Sequence, residues 1–142
     1  AETIENNVRK VINEESQTNP KYYDKMSVLL NELIKERKQE TIDYLNYLEK
    51  IKQLAKDVTD PTGNVSYPTN INTKAKQALY DNLDNDEDLS IILDDAVRYN
   101  KLDGWRDGGI KEKKLRIEVN KIIKDPQKTM ELMDIIKAQS EY

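Results

Sequence analysis

Three aspartates at alternate positions, Asp84, Asp86 and Asp88, imitate the start of a calcium-binding loop, in which alternating carboxylates converge on one ion. The sixth position of such a loop needs glycine for a sharp turn, but Leu89 occupies it in this chain. Carboxylates at the start of a helix also complement its dipole. We therefore interpret the run as the charged beginning of a helix, and the sequence predicts no metal site.

A second short motif, Glu112-Lys113-Lys114, contains the Glu-x-Lys pair with which some nucleases hold Mg²⁺ and a water molecule. Such a site needs an earlier aspartate from a separate strand, and no strand-like run precedes this pair. Because Lys and Glu alternate here, a solvated helix face is the better interpretation. The chain also has neither type of glycine-rich phosphate loop. We predict no catalytic residue and no cofactor for this chain.

The composition excludes several functional classes. The 142 residues include no cysteine and no histidine, so Ser-His-Asp catalysis, Cys-His catalysis and zinc sites built on these side chains are absent. The longest apolar runs, such as Val28–Leu30, are far shorter than the roughly 20 residues that cross a membrane. We expect no membrane association. The lack of cysteine suits a reducing cytoplasm, which is the expected location.

The spacing of apolar residues indicates how these motifs are positioned. Stripes of helical period run through nearly the whole chain, and the four glycines and four prolines fall in few places. This pattern predicts an all-α fold, a compact array of six to seven helices in a single domain. Asn19-Pro20 and Asp125-Pro126 are helix start signals. A helical stripe fades through Lys35 to Glu40 and resumes at Ile42, which predicts a break or bend near Gln39 to Asp43. A long loop at about 59–72 separates an N-terminal from a C-terminal group of helices.

The last predicted helix follows Asp125-Pro126 and extends to Tyr142. Its apolar stripe includes Met130, Met133 and Ile136.

The segment Gly104–Gly109 holds the only tryptophan and three of the four glycines, just before a lysine-rich helix. In one interpretation the glycines turn the chain and Trp105 fills a groove between helices, which is a structural role. In the other, free amides at the start of the helix from Ile110, together with Arg106 and Lys111, receive a phosphate of a nucleotide or nucleic acid. We favour a buried Trp105 and keep the phosphate site as a hypothesis.

Charge is distributed unevenly along the chain. Residues 81–95 hold seven acidic side chains and no basic one, whereas residues 101–128 hold nine basic and five acidic side chains. Four cations of the second stretch are candidates for weak, sequence-independent DNA contact: Lys113, Arg116, Lys121 and Lys124. Ile117 is expected on the outer face of the same helix, among Lys113, Asn120 and Lys124, as a candidate partner contact. Alternatively, these cations only neutralise the acidic stretch.

Several pieces of the sequence, in order, resemble the C-terminal helical region of the motor subunit of type I restriction-modification enzymes. They are Val28-Leu29-Leu30 through Ile34 and Arg37, Tyr67-Pro68, Thr73 with Ala78–Leu83, Gly104-Trp105-Arg106, Ile122–Asp125 and Ile135–Tyr142. The resemblance implies that the chain is a fragment of a longer protein. The parent would carry a nuclease domain and two translocase domains upstream, and would use ATP and Mg²⁺ as an ATP-dependent deoxyribonuclease.

The resemblance also implies a role in assembly. Such a region is expected to dock the motor subunit onto the methyltransferase and specificity subunits, with auxiliary DNA contact, and it brings no catalytic residue to any position here. Asp107 stands where a shorter Gly or Asn turn is expected. The alternative is a stand-alone helical module that binds a nucleotide or nucleic acid. An enzymatic function would require two carboxylates from distant helices to meet.

Overall fold

The computed structural model describes residues 2–63 and 67–142. Within these ranges the chain forms seven α-helices and no β-strand, which confirms the predicted all-α fold. The helices are α1 (Glu2–Glu15), α2 (Pro20–Lys38), α3 (Tyr44–Thr59), α4 (Lys74–Asn82), α5 (Glu87–Asn100), α6 (Ile110–Ile123) and α7 (Pro126–Ala138). Short 3₁₀ turns lie at Pro61–Gly63 and Trp105–Asp107.

The chain divides into two compact units, Ala1–Ser66 and Tyr67–Tyr142. The division falls inside the long loop that the sequence predicts between two groups of helices. The N-terminal unit contains α1 to α3, and the C-terminal unit contains α4 to α7. That the two units form a single domain stays a prediction.

Local signals explain the helices of the N-terminal unit. Asn19 accepts a hydrogen bond from the amide of Tyr22 at 3.2 Å, and Pro20 occupies the first turn, where its missing N–H costs nothing. The predicted break after Gln39 is confirmed, because α2 ends at Lys38 and Asp43 caps α3. The buried apolar residues include Leu30, Leu33, Tyr23, Tyr47 and Ile51.

The C-terminal unit is built on one hydrophobic core to which all four of its helices contribute. Among its most buried members are Leu79, Leu93, Leu115 and Leu132. Side-chain caps start three of the helices: Thr73 for α4, Asp86 for α5 and Asp125 for α7. Asp86 accepts from the amide of Leu89 at 3.0 Å, so the aspartate run does mark the charged start of a helix.

The expected end of the last helix is wrong. The helix ends at Ala138 and not at Tyr142, because the side chain of Gln139 donates to the carbonyl of Ile135 while its own backbone is extended. Met130 is 51% exposed, and Thr129 takes the buried position beside it. The buried stripe of α7 runs through Thr129, Leu132, Met133 and Ile136 at helical spacing, and Met130 lies beside it. Thr129 also donates a hydrogen bond to Asn120 of α6 at 3.0 Å.

No helix in the described part of the chain is long and apolar enough to cross a membrane.

Candidate functional site

Trp105 is inserted into the core of the C-terminal unit. Gly104 has a φ of 78°, a left-handed conformation that side chains rarely adopt, and this turn directs the indole inward. Only 3% of Trp105 is exposed, and the ring belongs to the same core as Leu115 and Ile136. The predicted burial of Trp105 is confirmed, and its structural role follows from it.

Arg106, the first candidate for phosphate contact, lies against the end of α7. Its guanidinium is 4.9 Å from the centre of the Trp105 ring and donates to the carbonyl of Lys137 at 3.2 Å and to that of Gln139 at 2.5 Å. The last carbonyls of a helix have no partner within the helix, so this cation caps α7. The arrangement gives Arg106 a structural function. It joins the Trp105 loop, residues 104–109, to the C-terminal tail, residues 139–142.

Lys111, the second candidate, also contacts the chain itself, because its ammonium donates to the carbonyl of Asp103 at 2.7 Å. The first turn of α6 has no side-chain cap, but Glu112 supplies negative charge there and pairs with Lys137 at 3.0 Å. The helix start therefore already has an anionic neighbour. A phosphate site at this position stays a prediction.

The C-terminal tail forms a polar network that the sequence does not reveal. Asp94 of α5 is 1% exposed and accepts hydrogen bonds from Arg98 at 3.0 Å and from the Tyr142 hydroxyl at 2.5 Å. Glu141 pairs with Arg98 at 2.7 Å and accepts from the amide of Ala75 at the start of α4 at 2.6 Å. The tail thus joins α4 and α5.

The surroundings of this network keep the Tyr142 hydroxyl protonated and the Arg98 guanidinium charged. Burial first, and then the hydrogen bond to Asp94, raise the pKa of Tyr142 well above its ordinary value of 10. The hydrogen bond to Asp94 likewise raises the pKa of Arg98, and the guanidinium lies 5.1 Å from the Tyr142 ring centre. The spacing of Asp94 and Arg98, four residues apart on a helix, is the one sequence signal that indicates this pair.

A similar cluster lies in the N-terminal unit. Glu5 of α1 is 5% exposed and receives two hydrogen bonds from Arg37 of α2, at 2.8 and 2.9 Å, and one from Tyr47 of α3 at 2.6 Å. Burial alone would raise the pKa of Glu5, but the donors outweigh it and hold the pKa below its ordinary value of 4.5. Burial and the bond to Glu5 raise the pKa of Tyr47 to about 12. Glu5 shares a helix face with Val8 and Ile12, which was its only signal in the sequence.

The cations proposed for DNA contact all lie on α6 or at its end, and they differ in their surroundings. Lys113 and Lys124 are exposed, Arg116 is half-buried, and Lys121 pairs with Glu118 of the same helix at 2.9 Å. In residues 2–63 and 67–142, none of the four forms an ion pair with the acidic stretch 81–95. Direct ion pairing with that stretch therefore does not account for them. Both DNA contact and a more distant neutralisation of the stretch stay predictions.

Ile117, the candidate partner contact, is 46% exposed and lies on the outer face of α6 as expected. Asn120 was expected on that face too, but it is turned towards α7 by its hydrogen bond with Thr129. Beside Ile117, a groove of about 270 Å³ runs between α6 and α7. This α6–α7 groove is lined by Arg116, Ile117, Asn120, Lys121, Pro126, Thr129 and Met130.

Acidic side chains do not gather into a metal-binding group in the described part of the chain, where three or more Asp or Glu never converge on one point. The carboxylates with perturbed surroundings are instead bound by arginine and tyrosine, as at Glu5 and Asp94. These arrangements stabilise the fold.

Comparisons with protein-family models, with curated proteins and with solved structures found no match to this chain.

Proposed function

We propose that this chain is an assembly domain, which docks the motor subunit of a type I restriction-modification enzyme onto its methyltransferase–specificity core. The proposal includes weak, sequence-independent DNA contact through the cations of α6 as an auxiliary role. The chain itself is non-catalytic in this proposal, and ATP and Mg²⁺ serve the parent enzyme elsewhere.

The supporting observation is that several pieces of sequence behind the resemblance pack together in the C-terminal unit. In the C-terminal unit, residues from Ala78–Leu83, Trp105, Ile122 with Ile123, and Ile135–Tyr142 belong to one hydrophobic core or pack against it. Arg106 then ties the Trp105 loop to the last carbonyls of α7. Because segments distant in sequence depend on one another in this core, their joint occurrence fits one inherited structural unit better than separate coincidences.

A direct binding experiment tests the docking function. The 142-residue chain is immobilised and exposed to the purified cognate methyltransferase–specificity core, with and without a DNA duplex that carries the recognition sequence. We expect saturable binding in both arms, with weak dependence on salt, because packing against a protein releases few counterions. Absence of binding in both arms contradicts the proposal. Binding that needs DNA and disappears steeply with salt favours the stand-alone nucleic-acid module.

The auxiliary DNA contact is tested by charge reversal on α6. The variant K113E/R116E/K121E/K124E should weaken retention of DNA by the assembled complex and reduce the slope of log affinity against log salt by up to about 4, roughly one per lost phosphate contact. A control with equal charge change, K25E/K35E/K52E/K56E, reverses exposed lysines of the N-terminal unit. Equal DNA retention by both variants and the wild type would show that the four cations of α6 do not contact DNA.

A further inference from the structure

The α6–α7 groove has an apolar floor that is open to solvent. Ile117 and Met130 are 46% and 51% exposed, and Pro126 closes one end. The polar groups at its base are already paired, because Thr129 donates to Asn120 at 3.0 Å and is itself buried. An occupant therefore meets apolar surface and has no unsatisfied buried donor or acceptor to match.

The rim of the groove is positively charged. Arg116 stands on one side, and it has no hydrogen bond or ion pair with any residue that the structure describes. Lys121 forms only an exposed pair with Glu118, an interaction that contributes little stability. The other side of Ile117 opens onto a second depression, which is lined by Leu102 and Lys114 among others. Asn100 and the acidic Glu118 line this depression too, so it is mixed in character, unlike the α6–α7 groove.

We propose that the α6–α7 groove binds an acidic amphipathic helix of the methyltransferase–specificity core. The inference rests on the proposed docking function and names its surface and the chemistry of the partner. Leucine-like side chains spaced by three or four residues would cover Ile117 and Met130, and flanking Asp or Glu would pair with Arg116 and Lys121.

The positive charge of the rim would also suit DNA, but the apolar floor of the groove does not. A phosphate backbone laid across the rim would trap Ile117 and Met130 against charged groups and lose their apolar burial, whereas an amphipathic helix buries them. Lys113 and Lys124 do not line the groove. If the groove binds the core, Arg116 and Lys121 belong to that interface and only Lys113 and Lys124 remain for DNA contact. The variant K113E/K124E then tests DNA contact without disturbing the groove.

Two variants test the groove in the immobilised binding assay. I117D/M130D places charge on the floor, and R116E/K121E reverses the rim. I117D/M130D should weaken binding of the core at least tenfold, because anchors at the centre of an interface dominate its affinity. R116E/K121E should weaken it at least tenfold as well, because it sets like charges against the acidic flanks of the partner helix. The matched controls, L45D/I92D and K25E/K52E, make the same charge changes at exposed positions outside the groove and should bind as the wild type does. Circular dichroism verifies that all four variants stay folded.

The outcomes separate the two proposals. If the wild type binds the core and the groove variants bind equally well, the groove is not the docking surface, although the docking function stands. If the groove variants and their controls weaken binding alike, the effect is general and the inference is also wrong. If the wild type does not bind the core, both proposals are wrong.

A cross-linking experiment identifies the occupant. Because the chain has no cysteine, Lys121→Cys provides one attachment point for a photoreactive maleimide at the rim and leaves the floor intact. We expect the cross-linked peptide to come from a core segment with apolar residues at helical spacing flanked by Asp or Glu. Cross-links to DNA, to a second copy of the chain, or to a basic segment of the core would each contradict the proposal.

Discussion

The two units of the protein contain the same chemical arrangement at different places in the chain. In each, a buried carboxylate is bound by an arginine and by a tyrosine hydroxyl: Glu5 by Arg37 and Tyr47, and Asp94 by Arg98 and Tyr142. In the N-terminal unit the three residues come from three helices. In the C-terminal unit the carboxylate and the arginine are one turn apart on α5, and the tyrosine follows the last helix.

The comparison shows that position in the chain decides what a buried ion pair stabilises. The Glu5 cluster fixes α1, α2 and α3 against one another. The Asp94–Arg98 ion pair lies within α5, so the Asp94 cluster does not bridge helices directly. It holds the C-terminal tail, and the tail joins α5 to α4 because Glu141 pairs with Arg98 and accepts from the amide of Ala75. The donors differ too: each oxygen of Glu5 accepts from Arg37, whereas one oxygen of Asp94 accepts from Arg98 and the other from Tyr142.

The largest expected loss of stability comes from the hydrophobic core of the C-terminal unit, and it should exceed the loss from any change in the Asp94 cluster. Trp105→Ala should reduce the free energy of unfolding by about 3–5 kcal/mol, the usual result of emptying a large aromatic site. Denaturant unfolding followed by far-ultraviolet circular dichroism measures this. An unchanged melting temperature, together with a solvent-like fluorescence maximum for the wild type, would contradict the burial of Trp105.

The next effect compares the two tyrosines directly. Tyr142→Phe keeps the ring beside Arg98 but leaves one oxygen of the buried Asp94 without its donor, so we expect a loss of about 2–3 kcal/mol. Tyr47→Phe leaves both Arg37 bonds to Glu5 in place and should cost about 1 kcal/mol. Chemical denaturation of both variants provides the measurement, and the reverse order would contradict our account of the donors.

The third prediction concerns how the contribution of the Glu5 cluster to stability depends on pH. The pKa of Glu5 lies below 4.5 in the folded chain, so its contribution to stability is present above pH 4.5 and is lost as the pH falls through the folded value. The stability difference between the wild type and Glu5→Gln should therefore narrow below pH 4.5. Urea unfolding at several pH values checks this, and a constant difference down to pH 2 would contradict it.

Stability at alkaline pH provides the matching test for Tyr47. The pKa of Tyr47 is raised to about 12, so its contribution is complete below pH 10 and is lost as the pH rises towards 12. The stability difference between the wild type and Tyr47→Phe should narrow over that range. Burial also raises the pKa of Tyr23 to about 12, but its hydroxyl donates to the carbonyl of Val58. Tyr23 is present in both variants, so its titration affects their stabilities equally.

The smallest effects are expected from exposed ion pairs, which occur in both units. Lys10 and Glu14 of α1 lie 4.0 Å apart, and Lys121 and Glu118 of α6 lie 2.9 Å apart. Lys10→Gln and Lys121→Gln should each change the stability by about 0–1 kcal/mol, since such charges stay hydrated and are screened by salt. If either variant lost as much unfolding free energy as Tyr142→Phe, exposed ion pairs would contribute as much as buried ones, which would contradict this prediction.

The sequence determined most of the helical architecture. Asn19-Pro20 and Asp125-Pro126 start helices where predicted, and the stripe that fades after Gln39 marks a real break. These features depend on residues within one or two turns, so they are encoded locally. The same holds for Trp105, because a large aromatic beside a glycine turn and before an amphipathic helix has few alternatives to burial.

Only the tertiary structure decided which polar residues are buried and what they bind. Nothing near Glu5 in sequence indicates Arg37 or Tyr47, which are 32 and 42 residues away, and Tyr142 meets Asp94 across 48 residues. Arg106 resembled a phosphate ligand by its glycine neighbours, yet it caps the end of α7. A charged side chain takes whichever partner the packing of distant helices brings within about 3 Å, and this distance is fixed by the complete core rather than by local sequence.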